Sequence, residues 1–414
     1  MLAGSQRNAV EAESAAVTGS RVSLGKFEVC HVASGDRWAG AEVQLAALLK
    51  AFQRNAELSI SAIFLNDGRP ADEARQSGTE VCVFDETRQN FFQILSAASH
   101  FLHGKNIQVL HSHRYKENLL AALLARRCHV PVHVCSRHGA PEPFTGWRGY
   151  KQNLVGALDR WVAHHCTDCV VSVSGELHTQ LTRYLPSNKV VTIYNGIDAE
   201  TVCSRFNAAE AKQRLGIPVE CWVVGTAGRL DPIKRLDIFL AAAQQIASVQ
   251  PNSKFVIAGD GTEESRLRGL ATALGLEDRV LVLGHRDDIY DVLRAMDIFV
   301  LCSDHEGLPM ALLETLYLGV AVVARPVGGV GEVVQDGVNG VWVPSSAPSD
   351  LAEACLQLLH DDVRRNFLAR AGAELVAKQF TADRTADRVA ELYSSLYEAR
   401  AKTLEEAIRI KGRK

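Results

Sequence analysis

Two carboxylates, Glu306 and Glu314, sit eight positions apart in SDHEGLPMALLETLYLGVAVVARPVGG (Ser303 to Gly329), a stretch that is otherwise mostly aliphatic. Pro309 suits the first position of a helix, because it lacks an N–H that would be unpaired there and its φ is already helical. Apolar residues from Met310 to Leu318 cover almost the whole circumference, so the helix is expected to be buried, with Gly319 as its C-terminal stop. The backbone N–H groups of Gly307, Leu308 and Met310 then stand at a positive helix end that can hold an anion. Glu306 lies in the loop just before them, and Glu314 falls about 7 Å further along the axis at ~1.5 Å per residue. A carboxylate inside such a helix is costly unless something pairs with it. Two partners are open: a structural Arg or Lys, with Glu306 merely solvated, or a bound ligand. The stretch GTAGRLDPIKRLDIFL (225–240) favours the ligand, because it sets Arg229 and Lys234 in a Gly-containing loop after a strand. Either cation alone would read as a solvated surface residue. Two of them opposite a helix start form a pocket for a diphosphate, Arg as a fork and Lys as a point charge.

The first half of the chain offers a second set. His138 in SRHGAPEP (136–143) follows a β-rich run and falls at a strand's carboxyl end, which sets it apart from the other histidines among the 14 of the chain. His111 and His113, at the end of QVLHSH (108–113), share one strand face and are expected to point towards the same cleft. No third ligand is evident beside them, so no metal site is expected. His164 and His165 end an amphipathic helix. Gly40, in DRWAGAEVQLAALL (36–49), marks either an ordinary helix start or a place where the backbone must approach a ligand closely. Cys166 and Cys169 form the one C-x-x-C, without a second pair at metal spacing, so neither zinc nor redox chemistry is expected. Ten cysteines without regular spacing fit a reducing cytosol. No D-x-D suited to a metal ends a strand. No G-x-G-x-x-G follows one either (GDGTEE lacks the third Gly), which disfavours a Rossmann dehydrogenase.

These residues need strand ends and helix starts to hold them. FEVCHVA (27–33), LSISAIFL (58–65), VCVF (81–84), QVLHSH (108–113), PVHVCS (131–136), CVVSVS (169–174) and VVTIY (190–194) read as strands. Helical patterns such as AEVQLAALLKAF (41–52) and ENLLAALLARR (117–127) alternate with them. Continuous apolar runs of this kind suit parallel strands covered on both faces. A second series follows: WVVGTAG (222–228), KFVIAG (254–259), RVLVLG (279–284), DIFVLC (297–302), VAVVA (320–324) and VWV (341–343). Between the series, residues 194–218 carry no strand signal and end in Gly-Ile-Pro. The expectation is an α/β chain of two doubly wound, Rossmann-like units, 27–205 and 206–380, facing a cleft beyond their strands' carboxyl ends. Residues 1–26 read as a flexible polar tail without a secretory h-region, and 381–414 as a helix that either crosses back to the first unit or frays, with a basic end.

At 414 residues the chain is long for one core, which agrees with two units. A net charge of -3 gives no bulk attraction to nucleic acid or to an anionic membrane, and none of the apolar runs is long enough to span one. One stretch stands apart. FTGWRGYKQNLVGALDRWVAHH (144–165) mixes Arg148, Lys151 and Arg160 with Phe144, Trp147, Tyr150 and Trp161. It reads as a helix packing its aromatics inward or as one lying on a membrane surface.

The ordered set GRLDPIKR, EGLPMALLE and LGVAVVARPVGGVGEVVQDGVNG (318–340), preceded by AGAEVQLAALL, SRHG and VVSVS…YNGID, resembles the retaining glycosyltransferases of family 4 over nearly all of the chain after the tail. The resemblance implies a GT-B fold and a nucleoside diphosphate sugar (UDP- or GDP-linked) as donor, with no separate cofactor. It implies that Arg229 and Lys234 hold the diphosphate, and that Glu306 with the Gly307–Leu308–Pro309 backbone contacts the donor sugar and its β-phosphate. Glu314 would accept hydrogen bonds from the ribose, His285 and Arg286 would meet the nucleobase, and His138 would line the reaction centre. Gly40 matches the second of two glycines usual in the family, and Ala39 replaces the first. Glu-Gly-Leu-Pro departs from the Phe often found after the first glutamate, and this form does not name the sugar. The implied reaction is transfer to a glycan or lipid-linked acceptor hydroxyl, with retention, in the cytoplasm or at the membrane's cytoplasmic face. Retention by two flanking carboxylates is not expected, since both glutamates have other roles; a front-side substitution without metal is. An epimerase or hydrolase of the same fold, and a non-catalytic nucleotide-sugar-binding protein, are the alternatives.

Overall fold

The structure, a computed structural model, describes residues 27–36, 38–139 and 146–411. The tail assigned to 1–26 lies outside them, as do the side chains of 144–154 in the aromatic and basic stretch. Seven strands form the first sheet: β1 (Phe27–Ala33), β2 (Leu58–Phe64), β3 (Glu80–Val83), β4 (Val109–His113), β5 (Val132–Arg137), β6 (Cys169–Ser172) and β7 (Val190–Thr192). Their order is β3-β2-β1-β4-β5-β6-β7, parallel throughout. The second sheet holds β8 (Trp222–Ala227), β9 (Ser253–Ala258), β10 (Val280–Gly284), β11 (Ile298–Leu301), β12 (Ala321–Ala324) and β13 (Val341–Trp342), in the order β10-β9-β8-β11-β12-β13. Each apolar run of the sequence becomes a strand because helices cover both faces of its sheet: all four residues of β11 are buried, as are all four of β12.

In both sheets the strand order reverses beside the first strand of the unit, and there the carboxyl ends open onto a crevice. A hydrophobic cluster runs unbroken beneath it, from Val173 and Leu177 of the first half to Leu308, Leu312 and Val330 of the second. The two halves are therefore packed together at the cleft floor rather than merely tethered.

The chain crosses between the halves twice, and the two passages lie side by side. Ile197 N–H donates to the Phe380 carbonyl at 2.9 Å, and Ala382 N–H donates to the Ile197 carbonyl at 2.7 Å. Gly196 is required there, since a Cβ would stand 2.2 Å from the Thr381 carbonyl oxygen. Beyond the second passage the helix Ala382–Lys411 returns to the first sheet. Ala382, Ala386, Val389 and Tyr393 recur at helical spacing and enter the core made by β1, β4 and the helix Gly40–Phe52. The wide hydrophobic face of this helix is buried in the half of the molecule most distant from it in sequence.

Candidate active site

The cleft between the halves encloses about 1470 Å³. Gly40, His138, Arg229, Lys234, His285, Arg286, Glu306, Gly307, Leu308, Pro309 and Glu314 all line it. Residues that the sequence scatters over both halves thus share one wall-to-wall space, because each follows the carboxyl end of a parallel strand or opens the helix after it.

The loop Ser303–Pro309 and the helix Met310–Tyr317 form the second half's contribution. Pro309 is the N-cap and not the first helical residue, with φ -72° and ψ 126°. Its extended ψ lets the preceding loop lie against the opposite half, while its carbonyl still accepts from Leu312 N–H at 3.2 Å. Gly307 makes that approach possible: a Cβ would fall 2.2 Å from the carbonyl oxygen of His138. The Asn195 side chain donates to the Leu308 carbonyl at 2.9 Å and pins the same loop to the first passage between the halves. Glu306 is buried and already engaged. Lys234 Nζ approaches its Oε1 at 2.6 Å, and the Ser303 hydroxyl donates to the same oxygen at 2.6 Å. Arg229 pairs with Asp231 at 2.9 Å. The two cations proposed for a diphosphate are therefore held in place by carboxylates before any ligand arrives.

Glu314 has no cation for a partner among the described residues; it takes a hydrogen bond from the Tyr290 hydroxyl. Burial pushes its carboxyl up to about 7, and the Tyr290 bond pulls only partly the other way. Burial and the neighbouring Glu314 likewise raise the Tyr290 phenol. Tyr290 was not legible as a site residue, because nothing in DDIYDVL marks one apolar ring as facing a cleft. Arg286 is paired with Asp288 by two contacts of 2.7 and 2.6 Å. Gly40 faces Met310, and a Cβ there would meet its Cγ at an ordinary 3.7 Å. The fold alone therefore tolerates a methyl at position 40; only a bound group would demand glycine.

On the first half, His138 stands at the cleft wall after β5. Burial, then the charges of Arg114 and Arg137, bring its pKa down to about 4. Beside it Arg137 is bound to Asp159 through both carboxylate oxygens at 2.6 Å. His111 and His113 do not reach the cleft, contrary to the sequence expectation: both rings are buried beneath His138 because β4 lies inside the sheet. A third imidazole, also unforeseen, joins them. His31 lies opposite His111 in the β1–β4 register, and the three rings bring nitrogen atoms within 4.8 Å of one another. Cys166 and Cys169 are free thiols, the latter pushed up to about 12 by burial, which leaves it unreactive. Trp161 is exposed rather than packed inward, and no described helix is long and apolar enough to cross a membrane.

Two comparisons of sequence cover both halves. The pattern described as Glycosyltransferase Family 4 matches residues 38–201, and that described as Glycosyl transferases group 1 matches residues 207–375. The UDP-Gal:alpha-D-GlcNAc-diphosphoundecaprenol alpha-1,3-galactosyltransferase of Escherichia coli is 27% identical over 349 residues, covering 78% of this chain and 88% of its own. The D-inositol 3-phosphate glycosyltransferase of Stackebrandtia nassauensis is 32% identical over 301 residues, covering 67% of this chain and 66% of its own. The crystal structure of Anabaena Alr3699/HepE in complex with UDP and glucose aligns with a TM-score of 0.78 at 22% identity, over 89% of this chain and 100% of that one. Two facing parallel sheets with a cleft between them are the GT-B fold. Within that class, the chain belongs to the family 4 glycosyltransferases, which transfer sugars.

Proposed function

We propose that the protein transfers a sugar, with retention at the anomeric carbon and without a metal, from a UDP- or GDP-sugar to a hydroxyl of a glycan or lipid-linked acceptor. Residues 206–380 hold the donor in this reading and residues 27–205 the acceptor, with the helix Ala382–Lys411 packed on the latter. The observation that carries it is the convergence of Arg229, Lys234 and the start of the Met310–Tyr317 helix on one side of a cleft whose opposite wall holds His138. Two cations and a helix end stabilise the charge that develops on the departing diphosphate, which lowers the barrier where charge forms and not in the ground state. Lys234 exchanges part of its contact with Glu306 for a phosphate oxygen, and Glu306 then turns its freed oxygen to the donor sugar. Glu314 accepts from the ribose, and His285 with Arg286 borders the base. Neither glutamate is placed as one of a pair of flanking carboxylates, so the acceptor attacks from the leaving group's own face and the leaving phosphate takes its proton.

A lipid-linked acceptor is supported by the surface beside the cleft. On the helix Gly146–His165, Val155 lines the cleft while Leu158 and Trp161 are 43% and 55% exposed, an apolar strip next to the site. The name of the E. coli relative includes a diphosphoundecaprenol-linked sugar. This reading puts the enzyme in the cytoplasm at the membrane face, and it expects L158E/W161E to abolish sedimentation with anionic vesicles.

Thermal unfolding against a panel of UDP- and GDP-sugars identifies the donor as the one that raises Tm. Analysis of the product's anomeric configuration then tests the reaction. Donor turnover without acceptor would mean an epimerase or hydrolase, and binding without any product a sensor.

A further inference from the structure

Behind His138 lie three imidazoles that the proposed transfer does not use. His31, His111 and His113 are buried in the first sheet, and Tyr393 of the returning helix reaches into the same space. They form a single file. His138 Nε2 stands 3.3 Å from His113 Nδ1, and His113 Nε2 stands 3.0 Å from His31 Nδ1. His31 Nε2 is 3.5 Å from the Tyr393 hydroxyl, which is 2.5 Å from His111 Nδ1. His111 Nε2 closes the file on the Ser136 hydroxyl at 2.8 Å. The ring planes of His138, His113 and His31 lie within 20° of their neighbours, so the file is continuous in orientation as well as in distance.

Burial holds these rings neutral: His31 is pushed down to about 3, and His111 and His113 well below their ordinary value. A neutral imidazole carries one N–H and one lone pair. In a file where each link needs one donor and one acceptor, the direction of any link fixes all the others. With the Tyr393 hydroxyl donating within the file, two arrangements exist. In the first, the Tyr393 O–H donates to His111 Nδ1 and accepts from His31 Nε2–H. His113 Nε2–H then donates to His31, His138 Nε2–H donates to His113, and His138 Nδ1 is left as a bare lone pair. The second reverses every link and puts a proton on His138 Nδ1. The two bonds of Tyr393 decide between them. A hydroxyl donor makes the shorter bond and a ring N–H the longer one, so the phenolic proton belongs in the 2.5 Å link and not in the 3.5 Å link. Among the described residues nothing pairs with His138 Nδ1, although that atom is buried.

We propose that Tyr393 is a positioning residue that, through His31 and His113, fixes His138 in the Nε2–H tautomer, so that His138 meets substrate as a hydrogen-bond acceptor through Nδ1. The hydrogen it accepts belongs to a hydroxyl of the donor sugar or of the acceptor. This rests on the reading that His138 lines the reaction centre. A protonated Nδ1 would instead offer those hydroxyls a donor and could not receive their hydrogens.

The test is a two-bond proton–nitrogen correlation spectrum of the full chain labelled with ¹⁵N-histidine, with His138 identified by loss of its signals in H138Q. The wild-type spectrum is expected to show His138 protonated at Nε2 and bare at Nδ1. In Y393F, which keeps the ring and loses the hydroxyl, His138 is expected to show the other tautomer or a mixture. Its kcat/KM should fall roughly tenfold, the size of one hydrogen bond. A proton on Nδ1 in the wild type overturns the proposal whether or not Y393F folds, and so does a Y393F spectrum in which His138 is unaltered. Stoichiometric divalent metal bound to His31, His111 and His113 in the purified chain also overturns it, because a cation would take the lone pairs that the file requires. Normal transfer by H138A would instead remove His138 from the reaction and leave the tautomer result standing, so the two failures are distinguishable.

Discussion

The most informative single residue is Glu314, because its chemistry is set by what it lacks. Burial without a cation lifts its carboxyl to about 7, whereas the unfolded chain ionises near the ordinary glutamate value. The folded state therefore holds a proton that the unfolded state has released. This contribution to stability is fully present below about pH 4.3 and is lost as pH rises through about 7. E314Q is expected to remove that slope, on the order of 3 kcal/mol, from the pH dependence of urea unfolding. The ribose hydroxyls are proposed to donate to the ionised form, so donor affinity should rise between about pH 6 and 8 and binding below pH 7 should release a proton. Calorimetry in two buffers of different ionisation enthalpy measures that proton, and E314Q should abolish it. At the other glutamate, K234A leaves a buried carboxylate with only Ser303 for company. Steady-state assays should show kcat down by roughly 10²–10³ for K234A and for R229A, with the circular dichroism of both unchanged. Near-normal turnover would remove the diphosphate from these two cations.

At the scale of elements, the strands were legible almost to the residue, because a parallel strand covered on both faces must be a short continuous apolar run. VAVVA and DIFVLC could hardly be anything else once a helix followed each. The loop that lines the cleft was legible too, in Gly307 and the two glutamates, since each is a residue type that its local backbone or chemistry restricts, although Pro309 caps the helix and does not open it. The His31–His111 contact was not. It depends on the parallel register of β1 against β4, two strands that are separated by two others in the chain, and no local pattern encodes that alignment. The docking of the last helix escaped for a related reason: amphipathic spacing gives the face that is buried but not the partner that buries it. Gly307 supplies a prediction at this scale. G307A must push the loop away from the His138 carbonyl, which a Cβ would approach to 2.2 Å. Transfer should fall at least tenfold while each half stays folded, measured as activity lost against a Tm shifted by only a few degrees.

For the whole molecule, the halves are joined by contacts of unequal worth. Arg69 on the first half meets Asp287 on the second at 2.6 Å, but both are exposed, and D287A is expected to change stability by less than about 1 kcal/mol. Glu332 caps the opposite half more firmly, accepting from the amides of Gly175 and Glu176 at 2.8 and 3.1 Å. The paired crossing at Ile197 and Thr381 counts for more than either, because it carries both passages of the chain.

That crossing also sets an order of events during synthesis. The first sheet emerges early, yet part of its core, Tyr393 with Ala386 and Val389, belongs to the helix Ala382–Lys411 and leaves the ribosome only after every strand of the second half. The second half has all its strands before then and can close first, against the usual N-terminal precedence. Nascent chains stalled with residue 380 clear of the ribosome and residue 393 still inside it should therefore show protease protection of the second half and a still-labile first half. Release of the helix Ala382–Lys411 should then protect the first half as well.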